Sequence, residues 1–323
     1  MKDVPTTIGC TLARENAVAE FRGEKYDYVR YYYIDEEGDT FTTTLTDTVS
    51  LNQIYNQYRF KYGIPFPDDI LRLKNMYGIN NATLTAILGF GENQIANYIN
   101  GEVPSKANGK VLAAIKDAAT FERFVDNAKG QLNAKIYERI KEKLKERKSL
   151  PHNDVFDVIY GIRERDIYNG YAYQDASLLK EVIVYILTII GDTYESKMNK
   201  LLFYCDMLSY KETGMGMTGL SYMANRYGTI PFRSSKIYPM LDIPKKIIFD
   251  DKAEYSPYCI EDKIDFKLLS DTNKDVIRRV CEKFKNYTSG AISEENHKES
   301  VYERYKNTNK PIPFNEAFAL INI

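Results

Sequence analysis

The sequence predicts an α+β fold, mainly α, and three observations carry that prediction. Residues 18–45 are crowded with Tyr and Thr and interrupted by Glu37-Gly38-Asp39, which reads as extended runs about a turn, a small N-terminal antiparallel sheet. From residue 51 apolar residues recur at helical spacing, with Gly and Pro punctuating segment after segment. The second half holds one strongly apolar helix followed by two glycine-rich turns and a Tyr-Gly-x-x-Pro ending, hence a mostly helical region with a short β-hairpin.

Each element has a local reason. "LNQIYNQYRFKYGI" is helical in pattern and Pro65 and Pro67 close it. "PDDILRLKNMYG" opens with acids, spaces Ile70, Leu71, Leu73 and Met76 as a helix would, and stops at Gly78. "NATLTAILG" and "GENQIANYING" are short helices with their own glycine stops, and residues 104–129 supply one or two more. Residues 131–150 form a charged helix ended by Pro151. Helices follow at about 154–165, 176–190 and 196–212. The stretch 238–259 looks extended, 271–289 is helical again, and a short helix begins at Pro313.

At 323 residues the chain is long for one domain, and a 44% hydrophobic content supplies packed cores rather than disorder. The net charge of −1 hides a layout of −5 over residues 1–50, +6 over 51–150 and −2 beyond. A basic middle suits nucleic acid, or equally a solvated helix face, since most of the excess lies in "KIYERIKEKLKERK". Cys10, Cys205, Cys259 and Cys281 stand far apart, which speaks against a disulfide framework or zinc site and for a reducing compartment. With no long apolar run and no secretory h-region at the start, a cytoplasmic, soluble protein is expected, with no membrane partner and no cofactor.

Residues 77–115 have the layout of a Cro/repressor helix-turn-helix: a helix at about 80–88, a tight Gly89–Gly91 turn, and a second helix at about 92–100. In such a unit Asn93, Gln94 and Asn97 would meet base edges, and Lys74, Lys106 and Lys110 would sit on phosphates. A plain helical bundle explains the same pattern.

Chemistry-bearing residues are sparse. His297 and Glu299 lie close in sequence, but with no nucleophile or second acid beside them they read as cap and packing residues. His152 needs no role beside Pro151. Cys205 on an apolar helix face reads as an inert core thiol. "GMGMTG" at 214–219 lacks the following Lys-Ser/Thr of a phosphate loop. No catalytic or metal-binding residue is expected, and an enzyme is the least favoured class.

One resemblance gathers the second half together. "GYAYQDASLLKEVIVYIL" (170–187), "SKMNKLLFYCDMLSYKETGMGMTGLSY" (196–222), "NRYGTIPF" (225–232), "LSDTNKDVIRRVCEKF" (269–284), "ISEENHKESVY" (292–302) and "PIPFNEAFAL" (311–320) follow one another in an order that resembles the Panacea, or SocA-like, antitoxin domain over residues 166–321. The 196–222 segment resembles its K-x-x-K-L-L-Y/F-Y helix. Thr229 replaces a proline of the family's turn, and Asn296 and Tyr302 replace Ser and Trp of its Ser-His-x-Glu-x-x-Trp box. The first half resembles the zinc-ribbon and helix-turn-helix of MqsA-like regulators. There Cys10 is the one cysteine kept, Ala13, Ile34 and Glu37 stand where others are expected, and Asn97 stands where arginine is usual. One thiol cannot hold zinc, so a metal-free sheet is expected.

The resemblance implies a division into 1–50 (degenerate ribbon), 51–130 (helix-turn-helix), 131–150 (charged linker) and 151–323 (antitoxin domain). It implies a non-enzymatic type II antitoxin whose partner is a cognate protein toxin encoded by an adjacent gene. Operator DNA is the second partner, and a homodimer would supply two half-sites. Lys197, Lys200, Tyr204, Tyr210, Tyr222 and Tyr227 are the toxin-binding candidates. The alternatives are a proteolytic adaptor that hands a toxin to a protease, and a transcription regulator without a toxin.

Overall fold

A computed structural model describes residues 7–149, 160–161, 164–249, 254–261 and 265–323. The protein is α+β and mainly α, with a small N-terminal antiparallel sheet and a short hairpin in the second half. Contacts divide it into two compact units, 1–53 together with 155–323, and 54–154. The four-part division drawn from sequence therefore meets a chain in which the N-terminal sheet belongs with the C-terminal half. The predicted helix at 154–165 lies largely outside the described residues. Among the described residues no helix is long and apolar enough to cross a membrane.

In the first unit, β1 (Thr11–Phe21) and β2 (Glu24–Ile34) pair antiparallel from Thr11↔Ile34 to Phe21↔Glu24. Their two-residue turn is Arg22-Gly23, both at positive φ, the geometry that matches strand twist. Glu37-Gly38-Asp39 instead turns β2 into the two-residue β3 (Thr40–Phe41), with Asp35 Oδ1 accepting from the Glu37 and Asp39 amides. The threonines that read as strand begin helix α1 (Thr44–Tyr62): the Thr43 and Thr46 hydroxyls accept from each other's amides at 3.3 and 2.8 Å, so capping overrides β-propensity. Gln53 on α1 grips Val29 of β2 through both its oxygen and its nitrogen, each at 2.9 Å.

The second unit is a helical bundle of α2 (Pro67–Tyr77), α3 (Asn81–Leu88), α4 (Gln94–Ile99), α5 (Lys106–Ala114), α6 (Ala118–Asn127) and α7 (Ala134–Ser149). Its core is one apolar cluster that includes Tyr77, Leu84, Ile95, Phe121 and Val125. The stretch 131–150, expected as a linker, holds α7, whose Ile140 and Leu144 are buried in that cluster. Arg147 ties α7 down further, donating to the Tyr77 hydroxyl and the Lys116 carbonyl.

The rest of the first unit surrounds one helix. α8 (Ala176–Ile190) and α9 (Glu195–Thr213) lead into the hairpin β4 (Tyr222–Asn225) and β5 (Gly228–Pro231). Next come α10 (Ser234–Met240), the two-residue strands β6 (Ile248–Phe249) and β7 (Glu254–Tyr255), and helices α11 (Asp271–Phe284), α12 (Ser289–His297) and α13 (Ser300–Tyr305). β8 (Pro311–Ile312) pairs with β4, and a 3₁₀ turn spans Phe314–Ala319. The stretch 238–259, expected extended, begins in α10, where Pro239 falls in the last turn and costs the helix the amide bond that would reach back to Ser235.

Candidate functional site

α9 is buried on every side: from Lys197 to Tyr210 all side chains are shielded, with β5, α8, α11, α12 and the Phe314–Ala319 turn packed around it. A helix with that environment is normally apolar throughout, yet this one carries Lys197, Asn199, Lys200, Asp206 and Ser209. Each polar group must find a partner or cost stability.

Most do. Asp206 Oδ1 accepts from the amides of Met217 (2.6 Å) and Thr218 (2.8 Å), while Oδ2 accepts from the hydroxyls of Thr218 and Tyr222. Burial raises its pKa, and the donors of Thr218, Tyr222 and Met217 work against that rise. The carboxylate thus fixes the glycine-rich 214–219 loop, whose amides point inward. Gly216 is required there because a Cβ would meet the Phe314 ring at 2.8 Å and the Asn169 carbonyl at 3.1 Å. Lys197 Nζ donates to the carbonyls of Lys285 (3.1 Å) and Tyr287 (2.7 Å) beyond the C-terminus of α11, where a cation suits the helix dipole. Asn199 accepts from the Tyr238 hydroxyl.

The Asn296-His297-x-Glu299 box supplies a second layer. Asn296 accepts from the Thr229 amide (2.6 Å) and donates to the Tyr204 hydroxyl (3.4 Å), joining hairpin to helix. Fully buried Glu299 accepts from the Ile321 amide and from the amide and side chain of Asn322. His297 stacks on Tyr302 with ring centroids 4.3 Å apart. Lys200 is the exception. It is wholly buried, its Nζ has no hydrogen-bond partner among the described residues, and burial pushes its pKa down to about 8.

The six residues predicted to meet a toxin divide sharply. Lys197, Lys200, Tyr204, Tyr210 and Tyr222 are core, at most 6% exposed, and only Tyr227, at 56%, is open to a partner. Four of those five lie on α9 and Tyr222 on β4, and side chains so enclosed cannot touch another protein without the region opening. Of the DNA-contact candidates, Asn93 just before α4 and Asn97 on it are exposed, as are Lys106 and Lys110 on α5; Lys74 is half-buried on α2. Gln94 is occupied, accepting from the Gly91 amide and the Asn108 side chain. Lys106 lies 3.6 Å from the centroid of the Tyr62 ring. Cys10 precedes β1, Ala13 lies on β1, Ile34 on β2 and Glu37 in the following turn. Cys205 is buried, and burial pushes its thiol well up.

Sequence reasoning missed Asp206, and it read Asn199, with Lys197 and Lys200, as a solvated helix edge or a partner contact, whereas all three are buried. The signal was present: polar residues inside an apolar run with no exposed face to serve.

The family model for the SocA-like antitoxin, Panacea domain, matches residues 198–303, the span from α9 through the hairpin to α13. No curated protein and no solved structure matches the chain.

Proposed function

We propose that this chain is the antitoxin of a type II pair, in which the region built on α9 binds a cognate protein toxin and blocks it. The observation that carries this reading is the antitoxin-family match over residues 198–303. The polar core described above serves as its rigid scaffold, and contact falls to what the scaffold displays. Arg226 and Tyr227 are exposed at the hairpin tip, the guanidinium 4.6 Å from the ring centroid. Ile247, Ile248 and Phe249 are exposed around β6, an apolar set of the kind that anchors interfaces.

The test is co-expression of the adjacent open reading frame alone, with the full chain, and with the full chain carrying Tyr227→Ala. Growth arrest by the neighbour, rescue by the wild-type chain and weakened rescue by the variant support the reading. A harmless neighbour overturns it. Inhibition of purified toxin without any protease separates direct blocking from the adaptor alternative.

Promoter binding through α3 and α4 is a second reading, favoured by the exposure of Asn93, Asn97, Lys106 and Lys110. Residues 68–115 carry as many acids as Lys and Arg, so affinity would depend on a few phosphate contacts and fall as salt rises.

A further inference from the structure

Lys200 is not alone beneath the hairpin. The side-chain oxygen of Thr229, a residue 1% exposed, and the buried Nε2 of His297 also have no hydrogen-bond partner among the described residues. The three belong to one place. Gly228 lies directly on Lys200: a Cβ there would stand 2.9 Å from Lys200 Cε and 2.7 Å from Asn296 Oδ1. Thr229 is the next residue and is tied to Asn296 through its amide, His297 follows Asn296, and the Lys200 charge acts on the imidazole. An ammonium, a hydroxyl and an imidazole nitrogen in its protonated tautomer are three donors, each in want of an acceptor.

None of the described residues supplies one. The enclosed carboxylates of this core, Asp206, Glu181 and Glu299, are taken by other donors. A buried cation without a counter-charge is among the most expensive groups a core can hold.

We propose that Lys200 Nζ, Thr229 Oγ1 and His297 Nε2 form a binding site for a carboxylate, closed by the Asn225–Gly228 turn, and that an acidic side chain of the protein partner fills it. The partner as the source of the carboxylate rests on the antitoxin reading. The site itself rests on the geometry. The turn explains the route: it presents Arg226 and Tyr227 to a docking partner, and its residue over Lys200 is glycine, leaving no side chain in the way when it lifts.

The test uses the full chain and Lys200→Met, which keeps the stem and removes the charge, with Thr229→Val as a second variant that keeps side-chain shape. Melting temperature is followed in sodium acetate, sodium phosphate and sodium chloride at equal ionic strength. The wild type should gain stability from acetate beyond chloride, Lys200→Met should not, and Thr229→Val should respond weakly. An equal acetate response in wild type and Lys200→Met overturns the site, as does no response in either or a phosphate effect larger than that of acetate. In the second arm, Lys200→Met should bind the toxin about thirtyfold or more weakly while melting no lower than wild type. Unchanged toxin binding rules out the partner's carboxylate. If the wild-type chain rescues no toxin, the antitoxin reading fails by itself, and the acetate series still decides the site.

Discussion

The bundle of residues 54–154 and the α9-centred unit solve the same burial problem by different means. The bundle encloses an apolar cluster, holds buried Arg59 on the Asn56 side chain and the Gly101 carbonyl, and sets ion pairs such as Lys141–Glu122 and Lys116–Asp69 around the cluster. The other unit encloses charges: Lys197, Lys200, Asp206, Glu181 and Glu299 are all buried. Apolar packing tolerates volume-conserving exchange, whereas a buried polar network fails when one member is removed. Of the charges enclosed in the α9 unit, Lys200, Asp206 and Glu299 lie within the antitoxin-family match, which is where strain is expected if the site acts on a partner.

The largest effect expected is from Asp206→Ala. It strands the amides of Met217 and Thr218 and the Tyr222 hydroxyl, and should lower stability by on the order of 4–5 kcal/mol. Denaturant unfolding followed by hydrogen exchange should show the loss in the α9 unit. Next is Phe121→Ala in the bundle, wholly buried and packed on Tyr77 at 4.5 Å between centroids, with an expected cost of about 3–4 kcal/mol. Here protection should fall in α2, α6 and α7 while the amides around Asp206 keep theirs. Equal losses in both units from either variant would abolish the contrast.

Lys200 makes the stability of the α9 unit depend on pH. Its pKa is held at about 8 when folded and is near 10.5 when exposed, so between those values the unfolded chain binds more protons and stability rises with pH. Lys211, also pushed down to about 8 by burial with Arg14 adding to it, contributes in the same direction. The tyrosines oppose this above pH 10: burial raises Tyr204, Tyr210, Tyr222 and Tyr238, so they keep protons that the unfolded chain releases. Lys200→Met should therefore be more stable than wild type by roughly 2–3 kcal/mol near pH 7, with the gap closing between pH 8 and 10. A gap independent of pH would mean that the amine is solvated.

The fold was legible in sequence where one rule acted alone. Helical period with glycine stops gave α2 to α4, and the Tyr-rich alternation gave the sheet. It failed where two rules competed, as at Thr43–Thr46, where capping beat β-propensity, and at Ser234–Met240, where Pro239 hid a short helix. At the candidate site the motif residues were visible but their depth was not. A helix enclosed on every side shows no period to distinguish facing from hidden residues, so Tyr204 and Tyr210 looked like interface and Asp206 drew no attention. Nor does local sequence tell that the first 53 residues group with the last 169, since that contact is long-range.

Glu299→Gln is a milder probe of the polar layer. It keeps shape but turns one acceptor into a donor facing the donors of Ile321 and Asn322, so a loss of about 1–2 kcal/mol is expected, with faster exchange at those two amides. The smallest effect belongs to the bundle surface. Lys110 is exposed on α5, so Lys110→Ala should leave thermal stability within about 0.5 kcal/mol of wild type. On a promoter fragment, however, loss of one phosphate contact lowers the slope of log affinity against log salt by about 0.9. Affinity measured between low and moderate salt reads this directly. A wild-type slope near zero would leave the bundle without a DNA role, and its apolar core would then serve stability alone, in contrast to the charged core beside the hairpin.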